Sequence, residues 1–217
     1  AYIAGQEKAC DTRLAQADAQ WPRRSDAYVQ AAEFLEMAFQ RDKAESLLKT
    51  AISRTPWETK PRHLLGDLYL NDGYNAQALA ALEEAKALDP YNVKTINYLR
   101  LLDDLSKYDQ LATQHFVIYS DKDADPIGAY MESTYADICQ VFNYWPNTKL
   151  IIQIYPHDDE FSVRMAGVPG VENFGVSFGR VLATIAPRAG TAQGNFNFAR
   201  VLRHEFVHTI NLLQTQE

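Results

Sequence analysis

Five consecutive residues near the carboxyl end, His204-Glu205-Phe206-Val207-His208, combine the residue types that bind a divalent metal and use it. On a helix, two histidines four residues apart project from the same face, about 6 Å apart along the axis. Both imidazoles can therefore reach one tetrahedral zinc ion. Glu205 follows the first histidine directly, where it can take a proton from water without binding the metal. The pentapeptide predicts a zinc site with His204 and His208 as metal ligands and Glu205 as the catalytic base.

The element that has to carry these residues is a helix over residues 197–213. Apolar residues recur along one stripe of this helix at three-to-four spacing: Ala199, Leu202, Phe206, Ile210 and Leu213. His204, Glu205 and His208 lie off the stripe, so we expect them to face away from the buried surface. The alternative is an ordinary helix that happens to carry two histidines, but the position of the pair off the apolar stripe favours the metal site.

The pentapeptide does not contain a complete set of ligands. A catalytic zinc usually has three protein ligands and one open position. The elongated form of the motif, with a glycine and a third histidine at fixed offsets, is absent because Asn211 and Gln214 occupy those places. We therefore expect the third ligand downstream of this chain, on a following helix. For the chain by itself this predicts weak or absent zinc binding and no turnover.

The first half of the chain carries a repeat of 34 residues, marked by Pro22, Pro56 and Pro90. Further columns keep this register: Leu14, Leu48 and Leu82; Ala17, Ala51 and Ala85; Cys10, Ala44 and Ala78; the middle repeat adds Leu65-Gly66 and Tyr69. The pattern resembles the tetratricopeptide repeat, a helix–turn–helix unit whose proline ends its second helix. The resemblance covers residues 1–105 and implies a helical solenoid with a surface for a protein partner.

Apolar spacing predicts helices over residues 7–20, 26–39, 42–53, 60–71, 75–88 and 93–105. The first repeat shows only its second helix, so we expect the chain to be an excerpt of a longer protein. The repeat register is lost after Tyr108, and we place a domain boundary there, with a helical domain over residues 1–108 and a second domain over residues 109–217.

The second domain alternates between strand and helix patterns. Residues 149–155 are almost continuously apolar, which is typical of a central strand. Residues 174–178 and 180–186 flank Gly179 as a hairpin. The remaining elements are a strand over 115–119 and helices over 126–144 and 158–165. This order predicts an α+β fold in which one mixed sheet packs on the motif helix.

Several segments of the second domain resemble the N-terminal part of a zincin metallopeptidase of the gluzincin kind, as found in bacterial proteins that join such a domain to tetratricopeptide repeats. The segments are His115-Phe116-Val117, Phe161 with Gly167-Val168-Pro169-Gly170, Gly175 to Gly179, Ala186-Pro187 and Leu202 to His208. The resemblance implies zinc-dependent peptide hydrolysis, a glutamate on the next helix as third zinc ligand, and export from a bacterial cell. It makes the strand over 180–186 a candidate docking edge for a peptide substrate, with plain structural pairing as the alternative.

Composition limits the partners. A net charge of −7 and a pI near 5.3 argue against nucleic-acid binding, and no apolar run approaches the roughly 20 residues that span a bilayer. The sequence thus predicts a zinc peptidase acting on a peptide or protein, with repeats that recruit protein. The alternative is an interaction scaffold that carries a non-catalytic zincin-like domain.

Overall fold

A computed structural model describes residues 7–22, 24–122, 124–187 and 196–215. These residues are mostly helical, with one small mixed sheet of five strands. This agrees with the coarse expectation of helices followed by an α+β part, whereas the solenoid and zincin assignments stay predictions. The chain forms two compact units: Ala1–Leu70 with Tyr74–Tyr91, and Asn71–Gly73 with Asn92–Glu217.

The first unit is built from five helices within its described residues: α1 (Glu7–Gln20), α2 (Asp26–Met37), α3 (Arg41–Arg54), α4 (Lys60–Asn71) and α5 (Asn75–Leu88). Positions of the repeat register form its interior, because Leu48, Ala51, Leu82 and Ala85 are at most 1% exposed. Gly66 allows α4 and α5 to approach closely, since a Cβ atom there would lie 2.5 Å from Cγ of Leu82.

The second unit begins with α6 (Val93–Leu105) and contains the sheet. Its further elements are β1 (Asp109–Ala112), β2 (Phe116–Ser120), α7 (Asp125–Phe142), β3 (Leu150–Tyr155), α8 (Asp158–Ala166), β4 (Gly175–Ser177), β5 (Val181–Ile185) and α9 (Phe198–Gln214). The strand order is β1-β2-β3-β5-β4, in which β2, β3 and β5 are parallel and the two outer strands are antiparallel to their neighbours. The central position of β3 confirms the prediction from its apolar sequence.

The hairpin β4–β5 forms around Gly179, whose φ of +94° suits a residue without a Cβ atom. However, β5 pairs with β3 on one side and with β4 on the other. The expectation that residues 180–186 offer a docking edge is therefore wrong. The outer strand of the hairpin is β4, whose far side pairs with no other strand of the described residues.

The core of the second unit lies between the sheet and the helices α7 and α9. Its aromatic centre joins three elements: Phe116 of β2 meets Tyr135 of α7 edge-on, and Phe206 of α9 contacts both rings with centroid distances of 5.5 and 5.9 Å. Phe206 is fully buried. This contact fixes the rotation of α9, and with it the direction in which the motif residues point. Among the described residues, no helix is long and apolar enough to cross a membrane.

Candidate metal centre

Helix α9 carries the motif and starts at a defined cap. The side chain of Asn197 accepts a hydrogen bond from the backbone N–H of Arg200 at 2.9 Å, as expected of an N-cap asparagine. Leu202, Phe206 and Ile210 are at most 1% exposed, which confirms most of the predicted stripe. Ala199 was also predicted on the stripe, but it is exposed because it lies in the first turn of the helix.

The two histidines of the motif converge on the exposed side of α9. The Nε2 atoms of His204 and His208 lie 3.0 Å apart, so one ring donates a hydrogen bond to the other. The ring planes are nearly perpendicular, at 81°, with centroids 4.6 Å apart. Their spacing along the helix therefore brings two imidazole nitrogens to one point, as the sequence predicts.

This geometry fits a divalent metal. Two nitrogen ligands of tetrahedral zinc, each about 2.0–2.1 Å from the ion, are about 3.3 Å apart, and the observed separation of 3.0 Å is within a few tenths of an ångström of that value. Both side chains are exposed, so small rotations can adjust them. Among the described residues, no group of three His, Cys, Asp or Glu side chains is placed so that it could hold a metal ion. The third ligand therefore stays a prediction.

Glu205 differs from its expected position. It was predicted to face away from the buried surface together with the histidines, but it is only 8% exposed. The reason is β4, which packs along this side of α9: an ideal Cβ on Gly175 would lie 2.7 Å from Cγ of Glu205. Burial raises the pKa of the Glu205 carboxyl above its ordinary value, and the neighbouring His204 and His208 act in the opposite direction. The result is a carboxylate that holds a proton more readily than an exposed one.

Strand β4 and helix α9 run side by side with nearly equal spacing between their facing residues. Two residues of a strand advance about 6.6–6.8 Å and four residues of a helix about 6 Å. Gly175 therefore lies against Glu205, and Ser177 lies against Thr209. The hydroxyl groups of Ser177 and Thr209 are 2.8 Å apart. Sequence reasoning missed both strand residues as parts of the site. A glycine inside a strand pattern signals close approach of another group, and this signal was present at Gly175.

The other two histidines of the second unit, His115 and His157, lie outside the motif helix. Nδ1 of His115 lies 2.6 Å from a carboxylate oxygen of Glu132, and its ring stacks on Tyr135. His157 is the residue before the first turn of α8.

A scan against models of known protein families finds no match to this chain, and a search of curated proteins finds no similar sequence.

Proposed function

We propose that this protein is a zinc-dependent peptidase in which His204 and His208 bind the metal and Glu205 is the general base. The observation that carries the proposal is the 3.0 Å approach of the two Nε2 atoms beside a buried carboxylate whose pKa is raised. This combination of two converging nitrogen ligands and a neighbouring base is what metal-assisted hydrolysis requires.

Each residue has a defined task in the proposed reaction. Zinc, when bound, supplies a Lewis acid that polarises the carbonyl group of the peptide bond. Glu205 accepts a proton from the attacking water as the new C–O bond forms, and it returns this proton to the amine nitrogen as the C–N bond breaks. Burial of Glu205 supports this cycle, because it raises the pKa of the carboxyl and so makes the carboxylate a stronger proton acceptor.

The outer strand β4 offers the substrate a place to bind. The N–H of Phe178 donates to Val181 and the N–H of Ile185 donates to the carbonyl of Phe174, so residues 174 and 178 turn their backbone groups toward β5. Backbone direction alternates along an antiparallel strand. Gly175 and Ser177 therefore turn theirs to the open side of β4. We propose that an extended peptide adds to this side through its backbone, next to Glu205.

The helices of the first unit have a separate proposed role. The repeat of 34 residues and the buried positions that follow it support a tetratricopeptide-like surface that recruits the protein substrate or a protein partner. The joining of such repeats to a zincin-like domain stays part of this proposal.

Glu205→Gln tests the proposed function. In the full-length protein, zinc binding should stay within about threefold of wild type, because the amide keeps the shape of the side chain and the histidines are untouched. Hydrolysis of a fluorogenic peptide library should fall by about 10²–10⁴-fold, which is the usual contribution of a general base. The zinc content of the same samples is measured in parallel.

An unchanged rate in Glu205→Gln would remove the assigned base. If the zinc-loaded wild type cleaves no peptide of the library, the alternative reading, an interaction scaffold with a non-catalytic domain, replaces the peptidase.

A further inference from the structure

There is no space for a side chain at position 175, because the aliphatic part of the Glu205 side chain occupies it. An ideal Cβ on Gly175 would lie 2.7 Å from Cγ and 3.2 Å from Cδ of Glu205, and 2.9 Å from Cγ1 of Val201. Real Cβ atoms practically never approach other atoms so closely. Backbone conformation does not explain the glycine, because Gly175, unlike Gly179, does not have a positive φ angle.

Helix α9 and strand β4 are held together around the contact between Gly175 and Glu205. Residues one turn before and after it on α9, Val201 and Thr209, face the same strand. Thr209 is 1% exposed and its hydroxyl is hydrogen-bonded to Ser177 of β4. The strand and the helix are thus connected two residues beyond the contact, so a side chain at 175 would displace the carboxylate rather than separate the two elements.

We infer that Gly175 is a positioning residue for Glu205: the absence of its side chain holds the carboxylate beside the two imidazoles. This inference rests on the proposed function, in which Glu205 is the base. It assigns β4 a second task besides substrate docking, since the strand that presents backbone groups to a peptide also fixes the place of the base. Because one strand has both tasks, the distance between the base and the bound peptide stays constant.

The experiment compares Gly175→Ala with Gly128→Ala in the full-length protein. Gly128 lies in α7 of the same unit, and a Cβ there would approach side chains of Leu111 and Thr113 at 3.0 Å without contacting the motif. We expect Gly175→Ala to lower kcat by about 10–100-fold, since a displacement of about 1 Å in a reacting group can cost that much. Its KM and zinc affinity should stay within about threefold, and Gly128→Ala should keep the wild-type kcat.

Two double variants separate positioning from loss of structure. Val201→Ala removes one of the two obstacles, so adding it to Gly175→Ala should recover part of the loss in unfolding midpoint but not kcat. If Gly175→Ala alone fails to fold, kcat is measured in the double variant Gly175→Ala/Val201→Ala instead. In the metal-free protein, Gly175→Ala should lower the unfolding midpoint by a smaller amount when Glu205 is replaced by Ala, because the obstructing stem is then gone.

The inference is overturned if Gly175→Ala keeps the wild-type kcat, if kcat recovers together with the midpoint in the Val201→Ala background, or if the midpoint loss is the same with and without the Glu205 side chain. These results are separable from failure of the proposed function. A wild-type rate in Glu205→Gln refutes both, whereas an inactive Glu205→Gln with a fully active Gly175→Ala refutes only the role of Gly175.

Discussion

His115 and Glu132 form a polar pair next to the aromatic core of the sheet unit. One carboxylate oxygen of Glu132 accepts the backbone N–H of His115 at 2.7 Å, and the other lies 2.6 Å from Nδ1 of its ring. The ring stacks on Tyr135 at a centroid distance of 3.7 Å, and Tyr135 in turn stacks on Phe206 of α9. Burial by itself raises the pKa of Glu132, but hydrogen bonds from Thr113 and His115 outweigh it and lower the pKa.

Glu132→Gln should destabilise the protein in a pH-dependent way. A carboxyl with a lowered pKa in the folded state stabilises that state above its unfolded pKa of about 4.3, and this contribution is lost as the pH falls through the lower folded value. We expect a loss of about 1–2 kcal/mol near pH 7, reduced from the usual value of a charged hydrogen bond because the pair is partly exposed. Urea unfolding of both proteins from pH 7 down to pH 3 measures it. A difference that stays constant over this range would contradict the assigned cause.

Residue spacing was sufficient to predict which side chains of the motif meet, but not how they are buried. The convergence of His204 and His208 follows from helix geometry alone. The burial of Glu205 depends on β4, which lies some thirty residues earlier in the sequence. An apolar stripe describes one helix in isolation and contains no information about the strand that packs beside it.

Among the elements, the helices of the first half follow the sequence most closely. The observed bounds Lys60–Asn71, Asn75–Leu88 and Val93–Leu105 coincide with the predicted ranges, because turn signals such as Asp72-Gly73 and Asp89-Pro90 separate them. Strand β1 was missed, since Asp109–Ala112 has no β-branched or aromatic residue and is mostly exposed. The position of β5 inside the sheet was also missed, because strand order depends on pairing between distant segments.

The connection between β4 and α9 can be tested with Ser177→Ala. This change leaves the hydroxyl of Thr209, which is 1% exposed, without its partner, and we expect a loss of about 1–2 kcal/mol in the free energy of unfolding. Replacing both partners by apolar groups in Ser177→Ala/Thr209→Val should recover most of this loss, because no buried donor then remains. Urea unfolding measures the three proteins. If the double variant is less stable than Ser177→Ala, the hydrogen bond does not have the proposed role.

The chain divides into a helical unit and a unit with the sheet, and the second comprises Asn71–Gly73 and the chain from Asn92 onward. Helix α6 therefore belongs to the unit that carries the candidate site. Its contacts explain why: the side chain of Asn97 donates to the carbonyl of Gly167 at 3.0 Å, and Tyr98 is buried. The repeat register does not contain this information, since it reflects contacts between neighbouring repeats and not contacts with α8.

We propose above all that His204 and His208 bind one metal ion between their Nε2 atoms. Crystals of the full-length protein grown with zinc, measured at the zinc absorption edge, test it directly. We predict one anomalous peak within about 2.0–2.2 Å of both Nε2 atoms, with the carboxylate of Glu205 close by but not bound to the ion. Zinc bound elsewhere, or no peak while the two imidazoles remain hydrogen-bonded to each other, would contradict the claim.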